Sequence, residues 1–392
     1  RGTLRFTDDS IRPGTLHAAV LFSPLAHAEI KKIETVEAAT APGVRGVFTG
    51  ADWPETLIGL YMGDKPPLAR SKVRHHGEPV VAVVADDEAA AQNALRLVKV
   101  EYAPLPALGS PREALAPGAP ILHPDMAQYA KIPDVLPEPG TNVANRTKIR
   151  KGDVAKAFAE ADVVAECECS FPPGDHVAME PRVAIAEFGA DGRLEIDSST
   201  QSPFEVRNLL ARALGMPERR IVVRAGPIGG GFGGKAGIML EPLAALLAMR
   251  FPGRPVRLAN TREADMLSSP GRPGLQARVR LAARADGTLL GADIEFLFDS
   301  GGYADYAVNV SRAAAISCTG PYNVPAVKTD SLCVYTNHPF ATAFRGFGHI
   351  ELSYATERAM DLLAERLRMD PADLRRKNAI RTGDLTPTGA PM

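Results

Sequence analysis

Cysteine is scarce: Cys167, Cys169, Cys318 and Cys333 are the four in 392 residues. That number cannot make a disulfide framework over such a length, and Cys167-Glu168-Cys169 lacks a second CxxC or HxxxH partner for zinc. Small buried strand residues in a reducing cytosol are expected instead, with Ala165, Cys167 and Cys169 on one strand face and Glu166 and Glu168 on the other. An excess of charge of one sign is missing too. Lys+Arg 45 against Asp+Glu 46 gives a net charge of -1, with no basic run, so no nucleic-acid partner is expected. No apolar run reaches the ~20 residues of a bilayer span. The most apolar window, Ile238 to Phe251, is broken by Glu241 and Pro242. No basic-then-apolar signal pattern follows Arg1, and a trimmed N-terminus on a cytoplasmic protein is expected.

What is present is ordinary for a globular chain: hydrophobic residues at 45% and charged residues at 23%. At ~150 residues per domain the length allows two or three domains. A Pro-rich stretch from Pro104 to Pro139 is expected as a linker, over 106–140, between an α/β unit at 1–105 and a second at 141–392. In the first unit, Leu16 to Phe22 and Pro79 to Val84 have strand composition, and Asp86 to Leu95 opens with acidic residues suited to a helix start. In the second, Asp153 should open a helix that ends before the strand Val163 to Ser170. Strands are expected at Leu194 to Ile196, Arg220 to Arg224, Pro255 to Leu258, Leu275 to Leu281, Gly291 to Leu297 and Ser331 to Thr336. Helices are expected at Phe204 to Leu214, Ile238 to Arg250 and Glu351 to Leu367. The fold class is mixed α/β.

The most informative stretch is Ile228-Gly-Gly-Gly-Phe-Gly-Gly-Lys-Ala-Gly237. Such a run lets backbone approach a ligand and aims N–H groups at it, and a helix beginning near Ile238 would add partial positive charge. Gly229-x-Gly231-x-x-Gly234 matches the dinucleotide fingerprint, but Phe232 sits where backbone should approach a pyrophosphate, and acidic residues come late after the next strand. Gly229-x-x-x-x-Gly234-Lys235 matches the triphosphate loop up to Ala236, where a Ser or Thr should hold magnesium. A structural turn is the third reading, and a buried Phe232 and Lys235 speak against it.

In Thr342-Ala-Phe-Arg-Gly-Phe-Gly348, Arg345 between Phe344 and Phe347 is expected as a partly buried cation that needs an anion. Gln201, after a strand, can bond a bound oxo group through its amide. His176 and Glu180 have the spacing of an i,i+4 metal pair, but Pro181 ends any helix there and no third ligand follows, so a structural role is expected.

Taken in order, Thr200-Gln201, Gly229 to Lys235, Ala343 to Gly348 and Asn378 through Gly383-Asp-Leu-Thr-Pro-Thr-Gly389 resemble the xanthine dehydrogenase/aldehyde oxidase family of molybdenum hydroxylases. The resemblance covers nearly the whole chain. It implies a hammerhead α/β domain at 1–105, carried by Ser23-Pro-Leu-Ala-His-Ala28 and Gly77-Glu-Pro-Val-Val81, and the first molybdopterin-binding domain at 141–392, where Thr261-Arg-Glu-Ala-Asp265 also matches. It implies a molybdenum-molybdopterin cofactor, in the cytosine dinucleotide form. Gln201, Gly230, Gly231, Phe232, Gly233 and Arg345 would contact that cofactor, with Gln201, Phe232 and Arg345 nearest the metal and Phe347 against substrate.

The implied activity is hydroxylation of an electron-poor carbon with oxygen from water, using a glutamate as general base. In the family that glutamate lies in a second molybdenum-binding domain. With the sequence stopping at Met392, the expectation is a split subunit, as in nicotinate dehydrogenases, whose pattern Val334-Tyr-Thr-Asn-His-Pro339 resembles; a fragment fits as well. The expected partners are a second molybdopterin subunit carrying the glutamate, a 2Fe-2S subunit and an FAD subunit. Ala236 stands where the purine-oxidising branch has a glutamate. Ala313 stands where that branch has an arginine, with Arg312 one step away. An N-heteroaromatic, nicotinate-like substrate is favoured, with an aldehyde as the alternative. A non-catalytic assembly subunit is the alternative of another class.

Overall fold

The structure, a computed structural model, describes residues 2–392. Val80 to Ala85 are fully buried in the strand Pro79–Ala85, the pattern of a strand covered on both faces. It pairs antiparallel with Leu16–Phe22 on one side, in register His17↔Ala85 to Leu21↔Val81, and with Val44–Thr49 on the other. The free edge of Leu16–Phe22 then takes Val256–Ala259 in parallel, starting at Leu16↔Val256. Val183–Phe188, Leu194–Ser198 and Ile221–Arg224 extend the same sheet to seven strands. Two segments far apart along the chain therefore share one sheet, because each supplies the main-chain partners the other's edge requires.

A second sheet of five strands runs in the order Val143–Lys151, Ala326–Tyr335, Leu289–Gly301, Leu275–Ala283, Val163–Phe171. In its last strand Cys167 is buried and Glu166 lies opposite Arg280, 3.4 Å from it, so the alternation of inward and outward residues holds. All four cysteines are free thiols. The helix His349–Leu367 covers this sheet with Leu352, Ala355, Ala359, Met360 and Leu363, spaced three and four apart on one buried face. A small third sheet joins Lys72–Val73, Ala28–Glu34 and Lys99–Pro104. Among the described residues no helix is long and apolar enough to cross a membrane.

Three sequence expectations shift. The helix expected from Ile238 runs Glu241–Ala248, because Pro242 fits only in a first turn. Glu241 completes that start by accepting from Met239 N (2.9 Å) and the Ser198 hydroxyl (2.6 Å). The Pro-rich stretch is a packed element: Leu108, Leu122, Met126 and Val135 are buried against Leu332, Val334 and Tyr335. Asn142 pins it by accepting from Leu122 N and donating to the carbonyls of Ala114 and Pro120. The strand Val183–Phe188 and the helix Ala307–Ile316 are additions that the sequence patterns did not indicate.

Candidate functional site

The glycine run forms a turn between the strand Ile221–Arg224 and the helix Glu241–Ala248. Gly231 leaves no room for a side chain: a Cβ there would lie 2.3 Å from Gln201 Oε1. Gly233 has φ +100°, a region L residues avoid, and its Cβ would lie 2.6 Å from the carbonyl oxygen of Ala343. Small residues thus let three distant segments close on one another. Gly234 N and Ala236 N bond back into the turn, whereas the amides of Gly230, Gly231 and Phe232 donate to no protein acceptor among the described residues. Gly231 is buried, so its free N–H costs energy unless something accepts from it.

Gln201 follows the strand Leu194–Ser198 and locks onto this turn. Its backbone N donates to the Lys235 carbonyl (2.8 Å), and its Oε1 accepts from Gly233 N (3.0 Å) and Lys235 N (3.2 Å). Two N–H groups converging on one atom require an oxygen there, which leaves Nε2 of this exposed residue as a donor with no protein partner among the described residues. Arg345 joins from the other side: its N donates to the Phe232 carbonyl (2.8 Å), and its guanidinium carbon lies 5.9 Å from the Phe232 ring centroid. The structure therefore brings Gln201, Gly230, Gly231, Phe232, Gly233 and Arg345 together. Phe347, two residues on, is half-buried and meets Tyr306 edge-on at 6.1 Å.

Burial corrects the sequence picture at two points. Phe232, expected inside, is 46% exposed. Arg345, expected partly buried, is exposed and has no salt-bridge partner among the described residues, because another arginine occupies the slot beside Phe344. That residue is Arg272, centred 4.1 Å from the Phe344 ring, buried, and paired with Glu351 at 2.8 Å. Lys235 is buried as expected but is held by Glu180 at 2.7 Å, and burial pulls its pKa down. With the lysine engaged and the helix starting only at Glu241, the glycines of neither nucleotide fingerprint open directly into a helix N-terminus as those motifs require.

Arg182 was not singled out in the sequence, yet it supports the turn from below, donating to the Gly234 carbonyl (2.6 Å) and pairing with Asp265 at 3.1 Å. Burial pushes the Asp265 carboxyl up, but the Arg182 charge and the hydrogen bonds it accepts outweigh this and hold it below the usual range. These partners lie 83 residues apart, and Arg272 and Glu351 79 apart, so no local pattern announces them. Among the described residues no group of three His, Cys, Asp or Glu side chains could hold a metal ion, and His176 and Glu180 are engaged elsewhere. Ala236 lies in the turn, and Arg312 pairs with Asp134 at 3.6 Å. Among the described residues the site thus combines three backbone amides without an acceptor, that of Gly231 buried, with one exposed side-chain amide donor and an unpaired guanidinium, a donor set suited to an oxygen-rich anionic group.

The family model of the molybdopterin cofactor-binding domain matches residues 135–379, and that of the aldehyde oxidase and xanthine dehydrogenase a/b hammerhead domain matches residues 1–106. The chain is similar to a probable xanthine dehydrogenase subunit of Bacillus subtilis (strain 168), with 35% identity over 98% of this chain and 50% of that protein. It is similar to the nicotinate dehydrogenase large molybdopterin subunit of Eubacterium barkeri, with 32% identity over 99% of this chain and 88% of that subunit. Among solved structures, the aldehyde oxidoreductase from Desulfovibrio gigas superposes with a TM-score of 0.90 at 35% identity, over 99% of this chain and 43% of that one. The chain thus spans about half the length of the Bacillus and Desulfovibrio relatives and most of the Eubacterium subunit.

Proposed function

The chain belongs to the xanthine dehydrogenase/aldehyde oxidase family of molybdenum hydroxylases, and on that premise we propose that it forms one wall of a molybdopterin site in an enzyme hydroxylating a nicotinate-like N-heteroaromatic acid. The observation that carries this reading is the donor set itself: Gly230, Gly231 and Phe232 N–H, Gln201 Nε2 and the Arg345 guanidinium lie on loops that touch one another and have no protein acceptor among the described residues. These residues, with Gly233, would hold the cofactor, which when bound supplies the two-electron oxidation of substrate. The chain's own work is to orient the group with fixed dipoles that need no reorganisation, and to offer Phe347 as an apolar surface for an aromatic ring.

Three carboxylates packed against the two loops are held in ion pairs. Glu180 is bound to Lys235, Asp265 to Arg182 and Glu351 to Arg272. This supports a general base supplied by another polypeptide segment, expected on a second molybdopterin subunit, with 2Fe-2S and FAD subunits removing electrons. Exposed apolar side chains in the site-forming segments, Val177, Met179 and Phe204 besides Phe232, support a covering partner. The similarity to the Eubacterium subunit and the alanine at 236 support the substrate class. Four free thiols favour the cytoplasm.

The test is made on the complex co-purified with its native partners. Molybdenum and pterin near one per complex are expected, with cytosine dinucleotide released on denaturation and nicotinate hydroxylated in preference to aldehydes and xanthine. A metal-free complex would leave only the scaffold reading, and a loaded complex that oxidises aldehydes alone would move the substrate.

A further inference from the structure

In the motif Gly174-Asp-His-Val-Ala-Met-Glu-Pro181, neither His176 nor Glu180 holds cofactor or substrate in the function proposed above, yet together they touch both loops of the site. Glu180 grips the glycine turn at its two ends: Oε2 accepts from Gly229 N (2.8 Å) and Lys235 Nζ (2.7 Å), while its backbone N donates to the Gly229 carbonyl (3.0 Å). Four residues earlier, His176 reaches the other loop. Its Nε2 lies 2.8 Å from the Ala343 carbonyl, and its ring stacks on Phe344 at 4.2 Å and 18°. A carbonyl can only accept, so Nε2 carries the hydrogen. The same ring also floors the glycine turn, since a Cβ on Gly234 would lie 2.7 Å from it.

Arg272 lies 4.1 Å from the centre of the same Phe344 ring and donates from Nη2 to the Arg345 carbonyl (3.0 Å). Between His176 and Glu180, Val177 takes φ +46°, a conformation a β-branched residue adopts only when its surroundings impose it. The backbone bond from Arg345 N to Phe232 is direct, but one hydrogen bond is too weak to fix two loops on its own. We propose that His176 and Glu180 are positioning residues, a two-point bracket that sets Phe232 and Arg345 at their working separation. That these loops hold a cofactor rests on the function proposed above; that they are bracketed does not.

The experiment uses the complete enzyme with its partners and compares wild type, His176→Ala and His176→Phe. Amide hydrogen exchange is followed by mass spectrometry in peptides covering 225–240 and 340–349, with molybdenum content, kcat and KM measured alongside. In His176→Ala, exchange should rise about tenfold in both peptides together and stay unchanged in the five-stranded sheet. At equal molybdenum content, kcat should fall on the order of 100-fold with KM within about twofold, the mark of misplaced groups rather than lost binding. His176→Phe keeps the ring and loses the bond, so it should restore protection of the glycine turn and leave 340–349 exchanging fast. Loosening of one loop alone in His176→Ala, or two loosened loops with wild-type kcat, overturns the bracket. Should His176→Ala fail to assemble, the isosteric Glu180→Gln is read by the same two peptides. A wild-type complex without molybdenum overturns the proposed function alone, because the exchange measurement needs no metal.

Discussion

Gln201 commits its carbonyl oxygen to two backbone amides and so points its NH2 group outward, which makes the direction of this side chain a property of the turn beneath it. Arg345, by contrast, is exposed and has no ion-pair partner among the described residues, so its removal should leave the fold untouched. Gln201→Ala and Arg345→Ala are each expected to lower turnover of the assembled enzyme on the order of 100-fold, with unchanged circular dichroism. Gly231→Ala should match Gln201→Ala, since the added methyl would occupy the place of Oε1. Wild-type rates in Gly231→Ala would show that the amide's placement is immaterial. All of these residues were legible in the sequence through their types and order. Their burial was not: Phe232 and Arg345 face outward because His176, Phe344 and Arg272 already fill the space beneath.

At the scale of elements, termini with a side-chain signal were the readable ones. Asp153 precedes the helix Val154–Ala159 and accepts from Lys156 N (3.0 Å), as its position suggests, and Asp87 does the same for Glu88–Leu95 through Ala90 N (2.8 Å). Asp153→Ala should cost about 1 kcal/mol, seen as a lower urea midpoint at unchanged slope. An unchanged midpoint would mean that tertiary packing alone sets this helix start. The helix Ala307–Ile316 lacks any side-chain cap and begins directly after Asp305 and Tyr306, so nothing local announced it. Val183–Phe188 was missed for a related reason: Val183 to Ala186 are buried in a run too short to tell strand from buried helix, and although it forms a hairpin with Leu194–Ser198, its other neighbour, Val256–Ala259, comes from far along the chain.

Across the whole molecule, the N-terminal segment is tied to the later one by buried polar bonds as well as by the shared sheet. Asp64 accepts from Ala304 N (2.7 Å) and the Tyr335 hydroxyl (2.8 Å), and burial, only partly offset by those bonds, pushes its pKa up to about 7. Between roughly pH 4 and 7 the folded protein keeps a proton that the unfolded chain has released, so this group's contribution to stability falls as pH rises through that window. Asp64→Asn keeps an oxygen for both bonds without the charge. Its urea midpoint relative to wild type should therefore climb from pH 4 to 7 and level off above; the same difference at pH 4 and pH 8 would refute the raised pKa.

By itself the sequence determined the family, the α/β class, most strands and the identity of the donor groups, because these depend on residue type, periodicity and order along the chain. Only the tertiary structure decided which residues are buried, that the two segments share a seven-stranded sheet, and that Arg182, Asp265, Arg272 and Glu351 underpin the site. Charge pairing and packing act through space, and side chains some 80 residues apart meet only once the fold has brought them there.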